Sequence, residues 1–217
     1  GTYDVVVTNF DTQSATLTGA YAYNPQPTFT SRSPTSGPLA GGGTLTISGT
    51  GFMTGATVAI GGTTCGSPIV SSTQITCIIP TKPSGSYNIV VTNIDTQSVS
   101  LTNGYNFNPF PTLPVLSPTS GKLVGGTNLT ITGSGFISGA TVTIGSQPCT
   151  SVIVTSSTSM SCVTPTMSAG SYDLTITNPD LQSVTLGNGY KYNAFPTVAS
   201  VSPTNGRLSG TNSLTIT

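Results

Sequence analysis

Histidine, glutamate and tryptophan are absent from this 217-residue chain, and charge is nearly so. Five Lys or Arg and five Asp make up 5 % of it, with a formal net charge of zero. An ordinary soluble domain is about 25 % charged. Without histidine there is no Ser-His-Asp triad, no imidazole base and no imidazole metal ligand. Five scattered cations cannot neutralise a phosphate backbone, which excludes nucleic acid as a partner. No apolar run reaches about 18 residues, so no membrane insertion is expected in this segment. The start, Gly1-Thr2-Tyr3, lacks the charged and apolar regions of an export signal. Such a signal is expected to be already removed or outside this segment.

Ser and Thr together fill 70 positions, Gly 26 and Pro 16. Hydrophobic residues are 35 % and they alternate. Thr44-Leu45-Thr46-Ile47-Ser48, Ser98-Val99-Ser100-Leu101-Thr102 and Asn128-Leu129-Thr130-Ile131-Thr132 each run polar–apolar with period two. That period marks strands with one buried face. No stretch has helical periodicity, and Gly and Pro punctuate the chain at the spacing of a β-sandwich.

Self-similarity organises the rest. Pro27-Thr28, Pro111-Thr112 and Pro196-Thr197 open successive copies at spacings of 84 and 85 residues. With one insertion near Thr155, the two complete copies agree at 47 of 84 positions. Ser33-Pro34-Thr35-Ser36-Gly37 returns from Ser117 and, as Ser202-Pro203-Thr204-Asn205-Gly206, once more. Gly51-Phe52 returns as Gly135-Phe136, Gly85-Ser86-Tyr87 as Gly170-Ser171-Tyr172, and Asn103-Gly104-Tyr105 as Asn188-Gly189-Tyr190. The expected divisions are 1–26, the end of a preceding copy; 27–110 and 111–195, complete copies; and 196–217, the start of a following one. The segment thus reads as an excerpt from a longer array.

The order SPTSG, GGxxLTIxGxGF, GATVxIG, two Cys, GSYxxxxTNxDxQS and NGYxYN resembles the IPT/TIG family of immunoglobulin-like domains along essentially the whole chain. The resemblance implies an all-β fold: tandem antiparallel β-sandwiches of about seven strands each, arranged end to end. It implies no activity by itself. For the first copy, strands are expected at about 28–33, 44–49, 57–61, 67–70, 74–79, 86–92 and 98–107. Tyr3/Val5/Val7, Tyr87/Ile89/Val91 and Tyr172/Leu174/Ile176 are large in every copy and should face the cores. The positions between them, Asp4/Asn88/Asp173 and Val6/Val90/Thr175, vary and should face out.

Each complete copy holds one cysteine pair, Cys65 with Cys77 and Cys149 with Cys162. A pair per copy points to one disulfide per domain rather than a four-cysteine zinc site, which would want closer spacing. The plainer alternative is buried, reduced thiols. A bridge closing about 12 residues would add about 3 kcal/mol and would place the chain in an oxidising, extracellular setting.

Other motifs carry less chemistry. Asn9-Phe10-Asp11, Asn93-Ile94-Asp95 and Asn178-Pro179-Asp180 supply one carboxylate per loop, too few for calcium and natural for Asx turns. Gly41-Gly42-Gly43-Thr44 lacks the Lys and the helix of a phosphate loop. Asn128-Leu129-Thr130 is the only N-glycosylation sequon, and the Ser/Thr rows are candidates for further glycans. An aromatic row, Tyr105, Phe107 and Phe110 with Tyr190, Tyr192 and Phe195, stands beside Pro109-Phe110-Pro111 and Phe195-Pro196. It is expected to pack the domain junctions, in preference to stacking on sugar rings. The prolines stiffen those short connections, which suggests a semi-rigid rod.

The expectation is a non-enzymatic, cofactor-free structural segment of an extracellular or cell-surface stalk, fibre or filament. Its partners would be neighbouring repeats or other copies in the filament. Alternatives are the spacer of an adhesin or receptor, an accessory module of a secreted polysaccharide-active enzyme, or a domain beside a DNA-binding region; the low charge and the cysteines weigh against the last. The pieces 1–26 and 196–217 should leave Tyr3, Val5, Val7, Leu214 and Ile216 exposed within this segment.

Overall fold

The computed structural model describes residues 1–210 and 213–217. Those residues form strands and turns and no helix, and they divide into two compact units, Gly1–Phe110 and Pro111–Thr217. In the first unit, β1 (Thr2–Thr8) and β2 (Ser14–Ala22) make an antiparallel hairpin. The first repeat follows as β3 (Thr28–Ser33), β4 (Ser36–Pro38), β5 (Thr44–Thr50), β6 (Thr57–Ile60), β7 (Thr63–Thr64), β8 (Gly66–Val70), β9 (Gln74–Ile78), β10 (Gly85–Thr92) and β11 (Ser98–Asn108). One sheet has the order β3-β5-β9-β8 and the other β4-β11-β10-β6-β7.

The second unit repeats this plan. Its strands are β12 (Val115–Ser117), β13 (Ser120–Lys122), β14 (Asn128–Thr132), β15 (Thr141–Ile144), β16 (Gln147–Pro148), β17 (Thr150–Ser156), β18 (Ser159–Val163), β19 (Gly170–Thr177) and β20 (Ser183–Asn193). They pair as β12-β14-β18-β17 and β13-β20-β19-β15-β16. A short ladder of β21 (Val201–Ser202) and β22 (Thr215–Ile216) matches the first two long strands of a repeat.

All seven expected strands of the first copy are present. Two short strands, β4 and β7, were not anticipated. β4 also departs from an all-antiparallel sandwich, because Ser36, Gly37 and Pro38 pair in parallel with Asn106, Phe107 and Asn108. The chain thus leaves one sheet at Ser33 and joins the other at Ser36. The glycine that closes the SPTSG motif has a packing reason. A Cβ on Gly37 would overlap the hydroxyl of Tyr105, and one on Gly121 the hydroxyl of Tyr190.

Period-two burial fills the space between the sheets. Leu45 and Ile47 of β5, Ile75 of β9, Val58 and Ile60 of β6, and Ile89 and Val91 of β10 are fully enclosed. The second core matches it with Leu129, Ile131, Met160, Val142, Ile144, Leu174 and Ile176. As expected, Ile89, Val91, Leu174 and Ile176 face inward, with Tyr87 and Tyr172 packed at the core edge.

The position between them is not a free surface site. Asn88 Oδ1 accepts the Asn103 N–H at 2.9 Å, Asp173 Oδ1 accepts that of Asn188 at 2.8 Å, and Asp4 Oδ1 accepts that of Gly19 at 2.7 Å. In each copy the donor has positive φ, 51°, 50° and 61° respectively. It sits in a bulge that shifts the ladder between Tyr87 and Ile89, and at the matching places in the other two hairpins. An Asx side chain on one strand therefore caps the bulge of its neighbour.

Outside the two cores, the expected apolar faces are in solvent. Tyr3, Val5 and Val7 of β1 are 57 %, 42 % and 65 % exposed, and Leu214 and Ile216 are 59 % and 61 % exposed.

Candidate functional site: cysteine pairs, aromatic trio and an Asx-turn loop

Cys77 lies in β9 opposite Leu45, and Cys162 in β18 opposite Leu129. Their partners follow the short strands of the other sheet, where the Cys65 N–H donates to Val58 O and the Cys149 N–H to Val142 O, both at 2.8 Å. Each pair therefore spans the two sheets of one repeat. All four are buried and free, so the expected bridges are not formed in this structure. Cys65 and Cys77 hydrogen-bond each other, as do Cys149 and Cys162. That bond, and after it burial, pushes the Cys77 and Cys162 thiols far above their ordinary range. It holds the accepting Cys65 and Cys149 below theirs.

The aromatic row is not where junction packing would put it. Tyr105, Phe107, Tyr190 and Tyr192 are buried inside the repeat cores. The reason is parity: they sit on the inward face of β11 and β20, continuing the set that includes Val99 and Leu101. Tyr87 stands edge-on to Phe107 at 5.7 Å, and Tyr105 at 4.9 Å; Tyr172 and Tyr190 flank Tyr192 at 5.9 and 5.2 Å. The same trio recurs in the exposed hairpin as Tyr3, Tyr21 and Tyr23, at 5.4 and 4.9 Å. Ring geometry is thus a property of the paired strands and does not require burial. The Tyr192 hydroxyl donates to Pro165 O at 2.8 Å, and burial pushes its pKa up to about 12. Of the other junction residues, Pro111 is buried, while Pro109, Phe110, Phe195 and Pro196 are exposed.

In the loop between β10 and β11, Asp95 Oδ1 accepts the Gln97 N–H at 3.1 Å, and Asp180 does the same for Gln182 at 3.2 Å. These are the expected Asx turns. The buried asparagine before each has a role the sequence reading missed. Asn93 Nδ2 donates to Gly51 O at 2.8 Å and its Oδ1 accepts the Met53 N–H at 3.1 Å. Asn178 does likewise with Gly135 O and the Ile137 N–H, at 2.8 and 3.2 Å. The signal was available, since this Asn recurs with its glycine turn in both complete copies. Asn178→Ala is expected to cost repeat 111–195 about 1–3 kcal/mol, because it strands a buried carbonyl. Urea denaturation checks this; a loss within error of zero would contradict it.

Among the described residues no three of His, Cys, Asp or Glu cluster as metal ligands, and no helix is long and apolar enough to cross a membrane. A cavity of about 330 Å³ beside Leu123, Val124, Phe195 and Pro196 has Lys122 as its only ionisable lining group. Asn128 and Thr130 of the sequon lie exposed on one face of β14, with Leu129 in the core between them.

The IPT/TIG domain model matches residues 27–107 and 111–192. Mouse fibrocystin-L is 31 % identical over 195 residues, covering 88 % of this chain and 4 % of that protein. Rat plexin-A3 is 31 % identical over 211 residues, covering 88 % of this chain and 11 % of that one. The chain therefore spans a small part of the curated relatives it matches. Among solved structures, the full extracellular region of plexin A4 superposes with a TM-score of 0.52 at 26 % identity, over 82 % of this chain and 16 % of that one. Two family matches, covering most of the chain and coinciding with two sandwiches of the same topology, place this protein in the IPT/TIG domain family.

Proposed function

We propose that this chain is a non-enzymatic structural segment of an extracellular stalk, fibre or filament in which tandem IPT/TIG repeats supply length. The observation that carries the reading is repetition. Two successive copies agree at 47 of 84 positions, and each closes its own core. Similarity to the plexin A4 extracellular region supports an extracellular setting. We include in the proposal a Cys65–Cys77 and a Cys149–Cys162 disulfide, formed on exposure to an oxidising compartment. Near-zero charge supports side-by-side association or a sugar-coated surface, because little self-repulsion keeps copies apart. A sandwich about 10 residues tall adds about 35–45 Å per repeat with its loops. Electron microscopy of the native material is expected to show beaded polymers with that spacing. Compact single particles, or a catalytic domain on the same polypeptide, would overturn the reading. The plexin similarity also favours a second reading, the spacer of a receptor or adhesin, marked by a distinct domain at one end of the full protein.

A further inference from the structure

The connection from the N-terminal hairpin into the first repeat is held by polar side chains. Asn24, two residues beyond β2, donates Nδ2–H to Asp95 Oδ2 at 3.1 Å. Its own carbonyl oxygen accepts the Gln97 Nε2–H at 3.2 Å. Gln97 Nε2 also donates to Asp95 Oδ2 at 3.0 Å, closing a ring of three residues. The loop behind them is anchored, because Asn93 is tied to Gly51 and Met53. The connection itself lies against that anchor: a Cβ on Gly51 would stand 2.8 Å from Gln26 O.

An Asx turn alone does not account for this arrangement. The turn needs only Asp95 Oδ1 and the Gln97 N–H. Beyond the turn, Gln97 Nε2 bonds Asp95 Oδ2, as Gln182 Nε2 bonds Asp180 Oδ2 at 3.0 Å, and the first of these pairs also reaches Asn24. The hairpin's own loop makes the same turn between Asp11 and Gln13, at 3.2 Å. Comparison among the copies separates the two roles. Positions that only shape the loop change, as Phe10, Ile94 and Pro179, or Thr12, Thr96 and Leu181. The Asp (Asp11, Asp95, Asp180) and the Gln (Gln13, Gln97, Gln182) stay fixed. So does an Asn shortly before each following copy: Asn24, Asn108 and Asn193.

We propose that Asp95 and Gln97, in the loop between β10 and β11, are a docking surface for Asn24, just past the last strand of the preceding copy. It is a clasp that fixes the direction in which hairpin 2–22 enters repeat 27–110. The proposal rests on the tandem-array reading and adds a polar contact by which the end of one copy is held to the copy after it. Three uncharged or singly charged side chains suffice because each bond is directional.

The test is residual dipolar coupling on the 1–217 chain, reading order of hairpin 2–22 in the frame of repeat 27–110. The wild-type hairpin is expected to share the repeat's alignment, with order parameters of about 0.85. In Asn24→Ala/Gln97→Ala they should fall below about 0.6 while couplings within 27–110 stay unchanged. Melting of the hairpin in the double variant counts equally for the clasp, since the cut contacts lie outside the hairpin's own ladder. Gln13→Ala, the same substitution in the loop remote from this connection, should change nothing. Unchanged order in the double variant, equal loss in Gln13→Ala, or a wild-type hairpin that already moves independently would overturn the proposal. A beaded polymer seen by microscopy would leave the array reading standing even then, so the two failures are distinguishable.

Discussion

Phe107→Ala is expected to remove about 3–5 kcal/mol of stability from repeat 27–110 and to leave the unfolding of repeat 111–195 unchanged. The side chain has no solvent exposure and meets Tyr87 and Tyr105 edge-on. Truncation therefore loses the transfer term, the cavity term and two ring contacts together. Tyr192→Ala should behave the same way in repeat 111–195, with the added loss of the bond to Pro165 O. Chemical denaturation followed separately in each repeat reads this directly. If the aromatic row served the junction instead, both substitutions would cost little in either core. A loss below about 1 kcal/mol, or one shared equally by the two repeats, would sink the core assignment.

The contrast between those residues and the rest of the fold shows what the sequence exposes. Long strands with β-branched inward faces, such as Thr44–Thr50 and Gly85–Thr92, were readable because alternation sets both their existence and their facing. The copies reinforced each reading by repeating it. β4 was not readable: three residues are too few to show a period, and its parallel partner lies 70 positions away. Nearness to the proline junction suggests a junction role for the aromatic row, and parity along β11 overrides it. Parity alone puts Tyr105 and Phe107 with Leu101. Asp4, Asn88 and Asp173 face out as expected, and what their change of residue hides is a shared capping role. Asp and Asn differ in charge, yet both offer the carbonyl-type oxygen that the bulge N–H requires. The unit to compare across copies was hydrogen-bonding capacity, not polarity.

Folding the chain under oxidising conditions is expected to close Cys65–Cys77 and Cys149–Cys162, raising the stability of each repeat by about 3 kcal/mol for loops of about 12 residues. In each repeat the two cysteines lie in one core and come from opposite sheets, so the native fold brings the correct partners together. The step forms one S–S bond, and both thiol hydrogens leave to a disulfide oxidant such as glutathione disulfide, which is reduced to two thiols. Burial sets its timing. All four cysteines are buried, which denies an oxidant access to Cys65 and Cys149 even though their thiols are held below the usual range. Exchange requires a thiolate and access, so a folded, reduced chain should react slowly with oxidant or alkylating agent, while an unfolded chain reacts at once. Peptide mapping under non-reducing conditions should find each bridge confined to its own repeat. Reduction should then lower both unfolding midpoints, and Cys77→Ala should remove the redox dependence from repeat 27–110 alone. Bridges between repeats, or four alkylatable thiols after oxidative folding, would show that the pairs are structural thiols and would remove this support for an extracellular setting.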